Sequence, residues 1–219
     1  MRSPIGVYEL VTPPAAEPVS LADVKEHGRI DTADDDTYLT GLITAARDLV
    51  ERLTGRSLIT QTWRLTIDDW PGGARHDEWW DGVREGPITL LRDTAWVELR
   101  KAPIAAITSV NVKDEAGTPT LWAASSYYLA RQPNGFGRLT RKSGATWPLV
   151  VDRYAGAIEI DFTAGYGASG TAVPMALRHA IKMAVLHWYD NREPASACAS
   201  AQMMPGGLGS IIASYRVAR

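Results

Sequence analysis

Residues 32–56, TADDDTYLTGLITAARDLVERLTGR, contain the clearest helical pattern of the sequence. Apolar side chains recur there at spacings of three and four residues, which places them on one face of a helix. Three aspartates precede the apolar run, where the exposed N–H groups of a helix start favour negative charge, and Gly55 follows it as a stop signal. The stretch therefore predicts an amphipathic helix that packs on a core. Its apolar stripe consists of Leu39, Leu42, Ile43, Ala46, Leu49, Val50 and Leu53.

Two further helices are predicted. One precedes this stretch, and the other follows the long region that comes after it. Ser20 is suited to cap a short helix that Gly28 ends, with Asp23 in the capping-box position. Pro174 is suited to the first turn of a second strong helix, which ends before Pro194. The last segment, GSIIASYR, favours one or two more helical turns with Ser210 as the cap. We therefore expect helices near 20–28, 34–54 and 174–192.

The long region between the helices has the alternating pattern of β-strands. In QTWRLTIDDW, Trp63, Leu65 and Ile67 point to one side and the polar residues between them to the other. Turn signals at residues 115–117 and 133–135 separate similar runs, so we predict about five or six antiparallel strands. Helices, then strands, then helices indicate an α+β fold, with a small α-helical core, an inserted antiparallel β region and a flexible C-terminal docking tail. The predicted segments are an extended arm at 1–19, helical core at 20–57, β-rich insertion at 58–170, helical core at 171–193 and tail at 194–219.

Composition and charge exclude several classes of protein. The formal net charge is -2, so the chain as a whole is not a polycation that binds nucleic acid non-specifically. A single cysteine, Cys198, excludes an internal disulfide framework and a cysteine zinc site. No apolar window approaches the length of a membrane span, and the first residues do not resemble a signal peptide. We therefore expect a protein that is made and kept in a cytoplasm, without a membrane partner.

The candidate catalytic and ligand-binding residues are few. His187 and Asp190 share a helix face and suggest a general base with its carboxylate, but no nucleophile or third ligand is nearby, which favours a structural role. Trp79 and Trp80 lie in a polar loop and indicate either glycan or nucleic-acid stacking, or packing on a partner or on the chain's own sheet. We expect no catalytic, cofactor or metal site.

The tail favours a docking role. Residues 194–219 contain no acidic side chain but include apolar residues and arginines after a segment of small residues. This pattern is typical of a docking peptide, and the alternative is a tail that folds back on its own domain. The residues expected to dock are Met203, Met204, Leu208, Ile211, Ile212, Tyr215, Arg216 and Arg219.

From about residue 19 to its end, the sequence resembles the head–tail connector (adaptor) proteins of long-tailed bacteriophages and phage-like gene transfer agents. The resemblance depends on several motifs taken in order and spacing: VSLADVKEHGRID, DDDTYLTGLITAARDLVERLTGRSL, QTWRLTIDDWP, KAPIAAITSVNVKDEAG, TWP, IEIDFTAGYG, VPMALRHAIKMAVLHWYDNRE and the closing Tyr215-Arg216.

The resemblance implies a non-enzymatic virion structural protein without cofactors. Such adaptors form a ring, usually twelvefold, beneath the portal protein. The ring extends the DNA channel, lets genomic DNA pass without specific binding, and joins the head to the next neck or tail component. The location implied is the virion neck, assembled in the cytoplasm of a bacterial host. In this family the C-terminal segment commonly docks on the portal. Trp79, Trp80, Asp190 and Arg192 are candidate subunit-interface residues, and the alternative function is a Trp-rich module that binds glycan or nucleic acid.

Overall fold

The computed structural model describes residues 6–71, 96–150, 155–192 and 207–217, and it contains helices and antiparallel sheets within those ranges. This mixture confirms the predicted α+β class. The helices are α1 (Leu21–Gly28), α2 (Asp36–Thr54), α3 (Met175–Asp190) and α4 (Leu208–Tyr215). The strands are β1 (Val7–Thr12), β2 (Gln61–Ile67), β3 (Trp96–Leu99), β4 (Ile104–Lys113), β5 (Pro119–Leu121), β6 (Tyr127–Arg131), β7 (Gly137–Arg141) and β8 (Ile158–Ala164).

The chain divides into two compact units, each assembled from separated stretches. The strand unit combines the N-terminal strand β1 with most of the central region, namely Met1–Val11, Thr62–Arg100 and Ile104–Thr163. The helical unit contains all four described helices and consists of Thr12–Gln61, Lys101–Pro103 and Ala164–Arg219.

The core of the helical unit lies where the apolar stripe of α2 was expected. Leu39, Ile43, Ala46 and Val50 are all 2 % exposed or less, and they share one cluster of buried side chains with residues of the other three helices. The stripe of α3 joins the same cluster through Leu177, Ala180, Ile181, Ala184 and Val185.

Most helix ends follow the sequence signals. Ser20 and Asp23 form the predicted capping box, and α1 ends at Gly28 with the next residue, Arg29, in the left-handed conformation. Gly55 ends α2 with φ +71°, a value that glycine adopts without strain. The predicted cap of the last helix is wrong: α4 begins at Leu208, and Ser210 lies inside its first turn, where its hydroxyl donates to the carbonyl oxygen of Gly207 at 2.7 Å.

The connection from α2 to β2 depends on the carboxylate of Glu51, which is largely buried. One carboxylate oxygen accepts hydrogen bonds from the backbone N–H of Leu58 at 2.7 Å and from the side-chain amide of Gln61 at 3.0 Å. The other oxygen accepts from Arg47 at 3.1 Å, one helical turn earlier. Burial raises the pKa of Glu51, and these three donors oppose that shift.

The strand unit contains a five-stranded sheet in the order β1-β2-β8-β4-β5 and a three-stranded sheet in the order β3-β7-β6. The extended N-terminal segment therefore contributes an edge strand to a sheet. Antiparallel registers pair Asn111 with Leu121 across β4 and β5, and Leu129 with Leu139 across β6 and β7. The turns between these pairs contain Gly117 and Gly135, at the positions where the sequence predicted them.

At strand β8 the larger sheet has one apolar and one polar face. Its residues alternate strictly between buried and half-buried positions. On the polar face, Arg64 of β2 donates to both carboxylate oxygens of Asp161 of β8, at 2.7 and 3.0 Å. Lys113 of β4 pairs with Glu159 of β8 at 2.5 Å. The bidentate bonds to Asp161 raise the pKa of Arg64, and the charged pairs join the three inner strands of the sheet.

Candidate assembly surfaces

Helix α4 packs on the core of the helical unit. Leu208 is 0 % and Ile212 is 7 % exposed, and both belong to the cluster that contains the α2 and α3 stripes. Ile211 and Tyr215 are half-buried against the same cluster. The sequence left open whether the tail docks elsewhere or folds back on its own domain, and for residues 207–217 the structure shows the second arrangement.

Two hydrogen bonds also attach the end of this helix to the residues at the end of α2. The guanidinium Nε of Arg56 donates to the carbonyl oxygen of Tyr215 at 2.7 Å. The backbone N–H of Val217 donates to the carbonyl oxygen of Thr54 at 3.0 Å. The apolar face of α4 is therefore turned inward, and the exposed residues are small or basic. They are Gly209, Ser210, Ala213, Ser214 and Arg216.

Three of the predicted docking residues lie outside the described residues. They are Met203, Met204 and Arg219. The candidate interface residues Trp79 and Trp80 lie outside the described residues as well.

A second surface feature lies where the end of α3 meets the start of α2. The carboxylate of Asp35 accepts hydrogen bonds from the hydroxyl of Tyr189 and from the guanidinium of Arg192, both at 2.7 Å. That guanidinium also lies over the rings of Tyr38 and Tyr189, at 4.7 and 4.6 Å from their centroids. Asp35 occupies the N-cap position of α2 but makes no side-chain capping bond, and its carboxylate instead binds Tyr189 of α3 and Arg192 beyond it.

Asp190 is exposed at the last position of α3, so it is accessible to a neighbour, as an interface residue must be. His187 is half-buried, and Asn191 is hydrogen-bonded to its carbonyl oxygen at 2.8 Å. Within the described residues, no three histidine, cysteine or acidic side chains are grouped as a metal site. Across the same part of the chain, no helix is long and apolar enough to cross a membrane.

The carboxyl group of Asp35 provides a pH-dependent test of this cluster. The hydrogen bond from Tyr189 and then the bond from Arg192 lower its pKa. Because the folded-state pKa is depressed, the two hydrogen bonds to the Asp35 carboxylate stabilise the fold above the ordinary aspartate pKa of about 3.9. This stabilisation is lost as the pH falls through the folded-state value. We expect Tyr189→Phe to move the Asp35 pKa back toward that ordinary value, as measured by an NMR titration of the carboxyl carbon.

The matched control for this titration is Tyr38→Phe. It removes a hydroxyl from the neighbouring ring, which contacts Arg192 through its face and makes neither bond to Asp35. The Asp35 pKa should then be unchanged. An equal shift in the two variants would contradict the assignment of the effect to the Tyr189 hydroxyl.

A third feature, an aromatic cluster in the strand unit, was not predicted from the sequence. Trp70 stacks on Trp147 with ring centroids 4.3 Å apart, and Trp122 lies 5.6 and 5.2 Å from these two rings. Tyr127 continues the cluster at 5.0 Å from Trp122. The indole N–H of Trp70 donates to the carbonyl oxygen of Pro148 at 2.9 Å, which ties the 147–149 segment to the cluster.

These surfaces are found in a chain whose sequence matches a family model described as phage gp6-like head-tail connector protein, over residues 18–79. Three solved structures are similar along almost the whole chain, and each alignment covers 97% of this chain and 96% of the other. The chain is similar to head–tail connector proteins. The resemblance inferred from the sequence motifs is confirmed by this match and by the three structures.

Each of these three structures is of a gene transfer agent (GTA) particle. One is the neck of an empty particle computed with C6 symmetry, with 28% sequence identity and a TM-score of 0.73. Another is the virion of a native particle, with 27% identity and a TM-score of 0.72. The third is the neck of a native particle computed with C12 symmetry, with 27% identity and a TM-score of 0.67. Among curated protein sequences, none matches the chain.

Proposed function

We propose that this chain is a virion structural protein of the head–tail neck, where copies of it form a ring that connects the head to the tail. The observation that carries the proposal is the similarity of 97% of the chain to a protein of the GTA neck, at 28% identity and a TM-score of 0.73. The family match over residues 18–79 independently supports a connector role. A connector acts by binding its neighbours, so the proposed role is non-enzymatic.

The ring is proposed to contain twelve copies. The supporting observation is that one similar neck structure was computed with C12 symmetry and another with C6, which is a subgroup of it. The proposed partners are the portal protein on the head side, the next neck or tail component on the other side, and further copies of this chain. Genomic DNA passes through such a ring, and a formal net charge of -2 suits a conduit that does not retain it.

The contact with the portal protein is proposed to lie on the outward face of α4. Leu208 and Ile212 are buried, so their role is to hold the helix on its own unit. The exposed face of small residues leaves room for the close approach of a partner, and Arg216 next to it can bind an acidic group. This assignment retains the docking role predicted for the tail and moves it from the apolar face of the segment to its small, basic face.

The test is sedimentation of the purified chain with its cognate portal ring. The unaltered chain should load onto the portal in a stoichiometric ring. Ala213→Glu introduces a charge on the exposed face of α4, and we expect it to lower the loaded fraction at least tenfold. Ala45→Glu is the matched control, because Ala45 is also an exposed alanine within a helix, on α2.

The outcomes separate the two parts of the proposal. Absence of loading by the unaltered chain would contradict the neck function. Loading of the unaltered chain together with equal loading of the Ala213→Glu variant would leave the neck function in place and contradict the α4 contact.

A further inference from the structure

The exposed apolar side chains of the described residues are concentrated at two places in the strand unit. Eight large apolar residues are exposed in this part of the chain. Four of them lie on the outer strands of the five-stranded sheet, and a fifth, Leu149, lines the same cavity as Leu121. Scattered apolar residues are ordinary on a protein surface, whereas grouped ones indicate a contact surface. The residues of the β1 edge are Val7, Leu10 and Val11, and those of the β5 edge are Leu121 and Leu149.

The β1 edge is held in a fixed position while its apolar residues remain exposed. The Tyr8 hydroxyl accepts a hydrogen bond from the backbone N–H of Arg100 at 2.9 Å, and its ring packs edge-on against Phe162 at 6.3 Å between centroids. Val7 and Val11 flank this anchor at 64 % and 45 % exposure. The strand contains no proline between its first and last residues, and it forms the outermost strand of its sheet among the described residues.

The β5 edge differs from the β1 edge in form. Strand β5 has three residues and begins with Pro119, which has no backbone N–H to donate, so this edge is poorly suited to extend the sheet through backbone pairing. It borders instead a cavity of about 350 Å³. The lining is mostly apolar and includes Val112, Trp122 and Pro148, and the charged residues Lys113 and Asp114 also line it. Leu121 and Leu149 line this cavity with 65 % and 81 % exposure, and Trp122 of its lining belongs to the tryptophan cluster.

We propose that the β1 edge of one copy packs its apolar side chains into the β5 cavity of the next copy. The inference rests on the proposed ring function and names the contact between neighbouring subunits. A closed ring of identical subunits requires two different surfaces that fit each other, because each copy meets one neighbour through each surface. The β1 and β5 edges meet this requirement, since one presents exposed apolar side chains on an outer strand and the other a mostly apolar cavity.

The separation of the two edges also suits a repeating contact. Four strand spacings separate β1 from β5, which at about 4.8 Å each places the edges roughly 19 Å apart on opposite sides of one sheet. The charged pairs between β2, β8 and β4 join the strands that lie between the edges. The two contact surfaces are therefore held in a fixed relation by one structural element.

Disulfide cross-linking in assembled rings tests the contact. The experiment uses the full chain with Cys198→Ser, which removes its single cysteine, and adds Leu10→Cys and Leu121→Cys together, or Val7→Cys and Leu149→Cys together. Rings loaded on the cognate portal are oxidised and then separated by denaturing electrophoresis. A head-to-tail contact should give a ladder of covalent oligomers from either double variant. An equal mixture of the two single-cysteine chains of a pair should stop at the dimer.

Three results would overturn the proposed contact. Portal-bound rings that give no ladder with either pair would exclude it, while the neck function would stand. Dimers formed by the Leu10→Cys chain alone, at the yield of the mixture, would indicate that two β1 edges meet each other. A chain that neither forms rings nor binds the portal would overturn the neck function and the contact together.

A charge-introducing pair of variants provides a second readout. Leu121→Glu should lower the fraction of chain assembled into rings at least tenfold. Met175 is 67 % exposed on α3 and lies outside both edges, so Met175→Glu should leave assembly unchanged. Both side chains are more than half exposed, so neither variant should disturb folding. Circular dichroism verifies this. Equal assembly of the two variants would contradict the proposed contact.

Discussion

Replacement of Glu51 with alanine is expected to lower the free energy of unfolding by about 2–6 kcal/mol, because two buried donors lose their acceptor and each costs about 1–3 kcal/mol. The physical reason is that three donors lose their acceptor at once. The backbone N–H of Leu58 and the amide of Gln61 are left in a buried environment, since these residues are 0 % and 2 % exposed. The guanidinium of Arg47 loses one of its two carboxylate partners.

Chemical denaturation monitored by circular dichroism measures this effect, and Glu51→Gln is the control. The glutamine side chain retains an oxygen that can accept from Leu58, and it avoids the desolvation of a charge, but it loses the ion pair with Arg47. We therefore expect a loss clearly smaller than that of the alanine variant. Equal losses would indicate that the charge of Glu51, rather than its role as an acceptor for the α2–β2 connection, is what stabilises the fold.

The second large effect is expected at the C-terminal helix. Leu208→Ala removes a fully buried side chain from the contact of α4 with the helical unit, and substitutions of this type cost about 2–5 kcal/mol. Since α4 can detach from its unit while the rest of the unit stays folded, the loss cannot exceed the free energy with which α4 packs on that unit. A chain ended after residue 206 gives that upper limit. Amide hydrogen exchange in α4 and denaturation of both variants measure the two quantities.

Gly209→Ala is the matched control in the same helix and should act in the opposite direction. A Cβ atom at Gly209 would meet nothing within 4 Å. An alanine within an exposed helix is favoured over glycine by about 0.5–1 kcal/mol, so the variant should be slightly more stable. Normal hydrogen-exchange protection of α4 in the Leu208→Ala chain would contradict the view that Leu208 holds the helix in place.

The local elements were largely predictable because their signals lie close together along the chain. The capping box of Ser20 and Asp23 and the stop at Gly55 depend on residues within one or two helical turns. The alternation of β8 and the turns at Gly117 and Gly135 are likewise local. For the same reason the α+β class and the resemblance to connector proteins could be inferred from the sequence alone.

Features that depend on distant residues were predicted less well. The three aspartates before the apolar run were expected to stabilise the start of α2, but the carboxylate of Asp35 binds two residues more than 150 positions away. The tryptophan cluster brings together residues 70, 122 and 147, and no sequence period relates them. The predicted docking residues Leu208 and Ile212 are apolar, and the sequence could not show whether they pack on a partner or on their own unit.

The sequence by itself determined the main helices and the strand character of the central region, because local hydrogen bonding and the spacing of apolar residues decide this. It also carried the motifs that identify a connector-like chain. Only the tertiary structure decided that β1 joins the sheet beside β2, that α4 turns its apolar face inward, and that apolar residues remain exposed at two opposite sheet edges. An apolar side chain gains from burial against any suitable surface, so its partner is determined by the geometry of the whole fold.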